Sequence, residues 1–89
     1  GRVSLGERMT FRVGPKGRDA TAHHVYRVRL FGPDGEERAH YACNLAAQER
    51  PVEGRITFAL DDALGTWKLV AADVATGLEA TIQVQLAER

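Results

Sequence analysis

Residues 61 to 77 read DDALGTWKLVAADVATG and hold three carboxylates, Asp61, Asp62 and Asp73, around the single tryptophan, Trp67. Paired carboxylates beside an aromatic ring suit acid–base chemistry, a calcium site or a sugar platform. Spacing argues against the first. An extended strand rises about 3.3 Å per residue, so Asp62 and Asp73 lie on the order of 25 Å apart. A working carboxylate pair sits about 5–10 Å apart. The alternating acidic ligands of a calcium loop are also missing. Asp61 and Asp62 therefore read as turn residues that bond nearby backbone N–H groups, and Asp73 as the cap of Thr76 or Gly77 in a short hairpin loop.

Other candidate chemistry is equally sparse. His23 and His24 are adjacent on a predicted strand and point to opposite faces, so they cannot chelate one ion together. His40 is expected about 20 Å from His23 on the outer face, opposite Arg29. Cys43, the only cysteine, is expected on an inward position, where it behaves as a small apolar side chain with a raised pKa. Ser4, the only serine, has no local base. Phosphate loops, zinc spacings and nucleophile elbows do not occur. The expectation is a non-catalytic chain with no metal and no cofactor.

These residues must be positioned by strands, because apolar residues recur at period two along most of the chain. RMTFRV turns Met9, Phe11 and Val13 to one side, and HVYRVRL turns Tyr26, Val28 and Leu30. RITFAL does the same with Ile56, Phe58 and Leu60, TWKLVA with Trp67, Leu69 and Ala71, and ATIQVQL with Ala80, Ile82, Val84 and Leu86. GPKG, GPDG, PVEG, DDALG and ATG punctuate the runs as turns. A short first strand at Val3–Leu5 completes about seven strands. Leu45–Arg50 favours helix, but Pro51 ends it early, so a crossing between sheets is expected there. The fold class is all-β, an antiparallel sandwich in a single domain over residues 1–89.

Asp34-Gly35 predicts a two-residue type I′ hairpin. Pairing Pro33 with Glu36 then sets Leu30 opposite Ala39, Val28 opposite Tyr41 and Tyr26 opposite Cys43, all inward. Nearly every aromatic falls inward under this scheme, leaving Phe31 outside. The outward positions beside Trp67 are unusually apolar, and Phe31, Val70, Ala72 and Val25 form a candidate docking face, with Val74 and Ala42 nearby. Arg8, Arg12 and Arg55 share the outside of the other sheet.

Composition narrows the partners. Twelve basic and twelve acidic residues cancel, so no global charge draws nucleic acid or an anionic membrane. No apolar run approaches the roughly 18 residues a membrane-spanning helix needs. The chain starts GRVSLGERMT, without an initiator methionine or signal peptide, and reads as a piece excised from a longer protein.

Pro33-Asp34-Gly35, Gly65-Thr66-Trp67 and Asp73 through Gly77, spread over residues 24 to 87, carry a resemblance. The chain resembles immunoglobulin-like or fibronectin-III-like accessory domains of large secreted bacterial proteins, among them α2-macroglobulin-like and glycoside-hydrolase-associated proteins. That resemblance implies a module that packs or spaces neighbouring domains in an extracellular, periplasmic or cell-surface setting, and supplies no catalytic residue. A carbohydrate-binding module attached to a glycoside hydrolase is the alternative.

Overall fold

Alternating apolar residues form strands here because period two puts one row of side chains on one face of a pleated ribbon. In the computed structural model, which describes residues 2–14, 24–47 and 52–88, the strands are β1 (Arg2–Ser4), β2 (Arg8–Val13), β3 (His24–Phe31), β4 (Cys43–Ala47), β5 (Val52–Thr57), β6 (Gly65–Asp73) and β7 (Glu79–Ala87). One sheet has the order β1-β7-β6-β3-β4, and β2 pairs with β5 in a second. Their apolar faces meet in one core. β2 and β5 supply Met9, Phe11 and Ile56, joined by Phe58 just past β5; the larger sheet supplies Val28, Leu30, Trp67, Leu69, Ala71, Val84 and Leu86. The all-β class is as expected. The GPKG turn beyond Gly14, His23 and the crossing at residues 48–51 lie outside the described residues.

Several details correct the expected arrangement. β1 runs parallel to β7, with Arg2 beside Gln85 and Ser4 beside Ala87, so the larger sheet is mixed and not purely antiparallel. PVEG is not a turn between strands, because β5 already begins at Val52 and holds Gly54 inside it. Asn44 through Ala47 belong to strand β4 and not to a crossing. Leu60, Ala80 and Ile82 were expected inward, yet all three are exposed. Leu60 lies beyond the end of β5, and the two-stranded sheet does not extend over that half of β7.

The hairpin after β3 also differs. Among the described residues only glycines have positive φ, Gly35 at +84° among them, so Asp34 does not take the left-handed position of a type I′ turn. Gly35 N–H bonds the Gly32 carbonyl at 2.9 Å, and Gly32 N–H bonds the Glu36 carbonyl at 3.0 Å. Pro33 explains the choice: its ring holds φ near −65°, which suits the first central position of a right-handed turn. Gly35 then supplies the left-handed residue of a three-residue loop.

Past the Phe31–Glu37 bridge the chain makes a 3-10 turn at Ala39–Tyr41 before rejoining the sheet. Val28 consequently faces Cys43 and Tyr26 faces Leu45. That register is two residues from the expected one, which leaves Tyr26, Val28 and Cys43 on their intended face, whereas Ala39, expected inward opposite Leu30, is exposed in the 3-10 turn. Arg29 meets Glu37 at 2.9 Å and not His40; His40 sits in the 3-10 turn with its ring 4.2 Å from that of Tyr41.

The 3-10 turn gives Tyr41 a structural task. Its ring packs beside Phe58 at 5.7 Å and Trp67 at 6.2 Å. Its hydroxyl donates to the Asp62 carboxylate and accepts from Ala59 N–H at 3.0 Å. Asp62 accepts the same N–H at 2.8 Å, so a tyrosine and an aspartate together close the β5–β6 loop. Burial and the bond to Asp62 raise the Tyr41 pKa, and burial with the nearby Asp73 charge raises that of Tyr26. A phenol whose folded pKa exceeds its unfolded value stabilises below about pH 10 and loses that contribution as pH climbs past it. Tyr41→Phe is expected to cost about 1 kcal/mol at neutral pH. Urea titrations at pH 7, 9, 10 and 11 should also show a shallower alkaline loss in the variant. Equal slopes would remove Tyr41 as a source of that loss.

Candidate functional site

The carboxylates of the opening stretch separate as their spacing requires. Asp61 and Asp62 follow β5, where Asp62 N–H bonds the Ala59 carbonyl at 3.1 Å. Asp73 ends β6, eight positions after Gly65 opens it. Its Oδ1 accepts from Ala75 N–H at 2.9 Å, and its carbonyl accepts from Gly77 N–H at 2.7 Å. The side chain therefore caps Ala75, and not Thr76 or Gly77 as expected. Asp73 is also buried, opposite Tyr26 on the inner face, which turn chemistry alone did not indicate.

Trp67 is fully buried and offers no sugar platform. Its Nε1–H donates to the Ala63 carbonyl at 2.8 Å. Cys43 is half-buried against the core, and burial raises its thiol pKa. Among the described residues no cluster of three or more His, Cys, Asp or Glu side chains is placed to hold a metal ion, and no helix is long and apolar enough to cross a membrane.

What remains is the outer face of the five-stranded sheet. The register sets three side-chain rows across it. Phe31, Lys68 and Gln83 form one; Arg29, Val70 and Thr81 form the next; Arg27, Ala72 and Glu79 form the third. Between the first two rows and the Gly32–Gly35 loop lies a groove of about 460 Å³. Arg29 closes over it, its guanidinium carbon 5.1 Å from the Phe31 ring centre while its nitrogens hold Glu37.

The four docking candidates occupy different parts of this face. Val70 is only 9% exposed, because Arg29 and Thr81 stand on either side of it. Phe31 and Ala72 are half-buried. Val25 is 46% exposed and sits across the charged third row from Phe31 and Val70. The candidate face is therefore two apolar regions divided by Arg27 and Glu79. Ala42 lies off the sheet, at the end of the 3-10 turn.

The more exposed region was only partly anticipated. Val74 N–H bonds the Val25 carbonyl at 2.9 Å, and Asp73 N–H bonds that of Leu78 at 2.8 Å. These bonds gather Val25, Val74 and Leu78 at one end of the sheet, with Val74 64% and Leu78 73% exposed. Leu78 carries no periodic signal, since it lies in the loop before β7, and its neighbours are assigned by the hairpin alone. Comparison of this chain with protein-family models, with curated proteins and with solved structures gives no match.

Proposed function

We propose that this chain is a non-catalytic module of a larger exported bacterial protein, working outside the cytoplasm in the periplasm, at the cell surface or beyond, and that it packs against a neighbouring domain. The observation that carries the reading is the exposed apolar end of the five-stranded sheet where Val25, Val74 and Leu78 come together. Apolar side chains gathered in one place suit a docking surface better than a solvated one.

An immunoglobulin-like type for the fold draws support from strand order. In such domains the third, sixth and seventh strands share one sheet and the second and fifth share the other, as β3, β6, β7 and β2, β5 do here. Three departures stand beside this support. The first and fourth strands lie with β3, β6 and β7 and not with β2 and β5. No cysteine pair links the sheets, and the buried tryptophan is in the sixth strand and not the third.

Amide-resolved NMR of the 89-residue chain, titrated with the flanking segment of its parent polypeptide, tests the docking reading. Saturable shifts at Val25, Val74 and Leu78 are expected, and Leu78→Asp should abolish them while leaving the remaining spectrum unchanged. Carbohydrate binding is the second reading, supported by the groove with Phe31 at its floor and Thr81 and Gln83 along its side. Arg29 occupies the ring face that a pyranose would stack on, which weighs against it. Saturable shifts at Thr81 and Gln83 with a soluble oligosaccharide, and none with the flanking segment, would replace the first reading with the second.

A further inference from the structure

Exposure along one side-chain row shows where the smaller sheet stops. Leu30, Leu69 and Ile82 are cross-strand neighbours on the inner face of β3, β6 and β7. Their exposures are 0%, 3% and 47%. The next row, Val28, Ala71 and Ala80, runs the same way, from buried to exposed at β7. β5 lies on the β4 side of the core, since those two strands touch, so β2 is the strand nearer β7. Among the described residues β2 pairs only with β5, and β1 covers β7 only from Gln85 onward. Among the described residues, nothing lies between the edge of β2 away from β5 and the exposed Ala80 and Ile82.

Charge says what kind of strand fits. The outward residues of the smaller sheet pair as Arg8 with Thr57, Thr10 with Arg55 and Arg12 with Glu53. Glu53 is taken by Arg55 at 3.2 Å. Arg8 and Arg12 are exposed, and among the described residues no ion pair or hydrogen bond engages either. A second copy of β2 is a poor occupant. In the antiparallel register centred on Thr10, Arg8 of each copy faces Arg12 of the other, and like charges directly opposite destabilise a strand pair.

We propose that the open edge of β2 accepts an extended segment of a partner polypeptide in which acidic and apolar residues alternate. The segment adds a strand to the two-stranded sheet, its backbone bonding β2. Its apolar residues cover Ile82 and Ala80, and its carboxylates meet Arg8 and Arg12. Arg8 and Arg12 on β2 take no part in the Val25, Val74 and Leu78 end, so variants at those two arginines separate this assignment from the proposed function.

The test is an NMR titration of the whole chain with three synthetic heptapeptides: Glu-Val-Glu-Ile-Glu-Val-Glu, its lysine counterpart, and an acidic peptide of the same composition with the alternation scrambled. Saturable shifts at the amides of Thr10 and Arg12 and the methyls of Ile82 are expected with the first. Binding should be on the order of tenfold weaker for the lysine peptide and should weaken as salt rises. Arg8→Glu combined with Arg12→Glu should reverse the preference between the acidic and lysine peptides, and Ile82→Ser should weaken binding of both. Equal binding of the scrambled peptide, or shifts that miss β2, would overturn the proposal. Concentration-dependent shifts at Thr10 and Arg12 without any peptide would assign the edge to a second copy instead.

Discussion

Trp67→Ala is expected to destabilise the fold by about 3–5 kcal/mol, the range for truncating a large buried aromatic. A chain of 89 residues has a total stability of roughly 4–13 kcal/mol, so this single change removes a large share of it. Several contacts fail together. Trp67 has no exposed surface, and its ring meets Phe58 edge-on at 5.2 Å and 69°. Tyr41 packs against a second side, and the Arg38 guanidinium lies 5.5 Å from the ring centre. Arg38 in turn bonds Asp34 at 3.1 Å and the Glu36 carbonyl at 3.0 Å, so the indole also anchors the Gly32–Gly35 loop. Removing it opens a cavity and leaves the Ala63 carbonyl without its donor. Urea denaturation followed by far-ultraviolet circular dichroism gives the size of the effect. Trp67→Phe separates its parts, since it keeps most of the apolar volume and loses the N–H bond. A loss below about 1 kcal/mol for the alanine variant would mean the core closes over the gap.

Gly54→Ala should be the second most damaging of these changes, at about 1–3 kcal/mol, the range for forcing extra volume into a packed core. Gly54 is buried on the inner face of β5, directly opposite Phe11 in β2. A methyl group there would run into the Phe11 ring, meeting Cζ first and coming within 2.6 Å of Cε2 and 2.9 Å of Cε1. Its backbone is not in the left-handed region, so space and not conformation excludes a side chain. The ring lying across the glycine also protects a strand position that would otherwise be weak. A double-mutant cycle with Phe11→Leu isolates the clash. In the leucine background Gly54→Ala should cost at least about 0.5 kcal/mol less, a coupling expected of residues in direct contact. Additive costs would show that the glycine is needed for some other reason.

Gly54 also shows where reading along the chain fails. Next to Pro51, a glycine three residues on looks like turn chemistry, and PVEG was placed between strands on that ground. Its reason lies in Phe11, more than forty positions away, and nothing local encodes that contact. Ile82 fails in the same manner. Alternation puts it on the inner face with Val84 and Leu86, and that is the face it occupies. Whether the face is covered at that point depends on the width of another sheet. Val70 reverses the case: an outward valine is buried because the cross-strand register sets Arg29 and Thr81 beside it.

The hairpin at Asp34-Gly35 separates the two kinds of information most clearly. Glycine supplied the left-handed residue, and alternation kept Tyr26, Val28 and Leu30 on the core side through a two-residue change of register. Turn type is legible too, in the fixed φ of Pro33. The 3-10 turn is not, because Tyr41 leaves the strand to reach Phe58, Trp67 and Asp62, which come from a later part of the chain.

By itself the amino-acid sequence determined that this is an all-β chain, which residues form most of its strands and which side of each is apolar, and that Asp61, Asp62 and Asp73 serve turns. These properties follow from period-two alternation, backbone restrictions at glycine and proline, and hydrogen bonding within a few residues. Tertiary structure alone decided that β1 lies parallel to β7, that Asp73 is buried against Tyr26, that Val25, Val74 and Leu78 gather at one end, and that Ile82 is exposed on the inner face. Each of these depends on packing between segments distant in the chain, and a pattern that repeats every two residues carries no record of which strand will lie beside which.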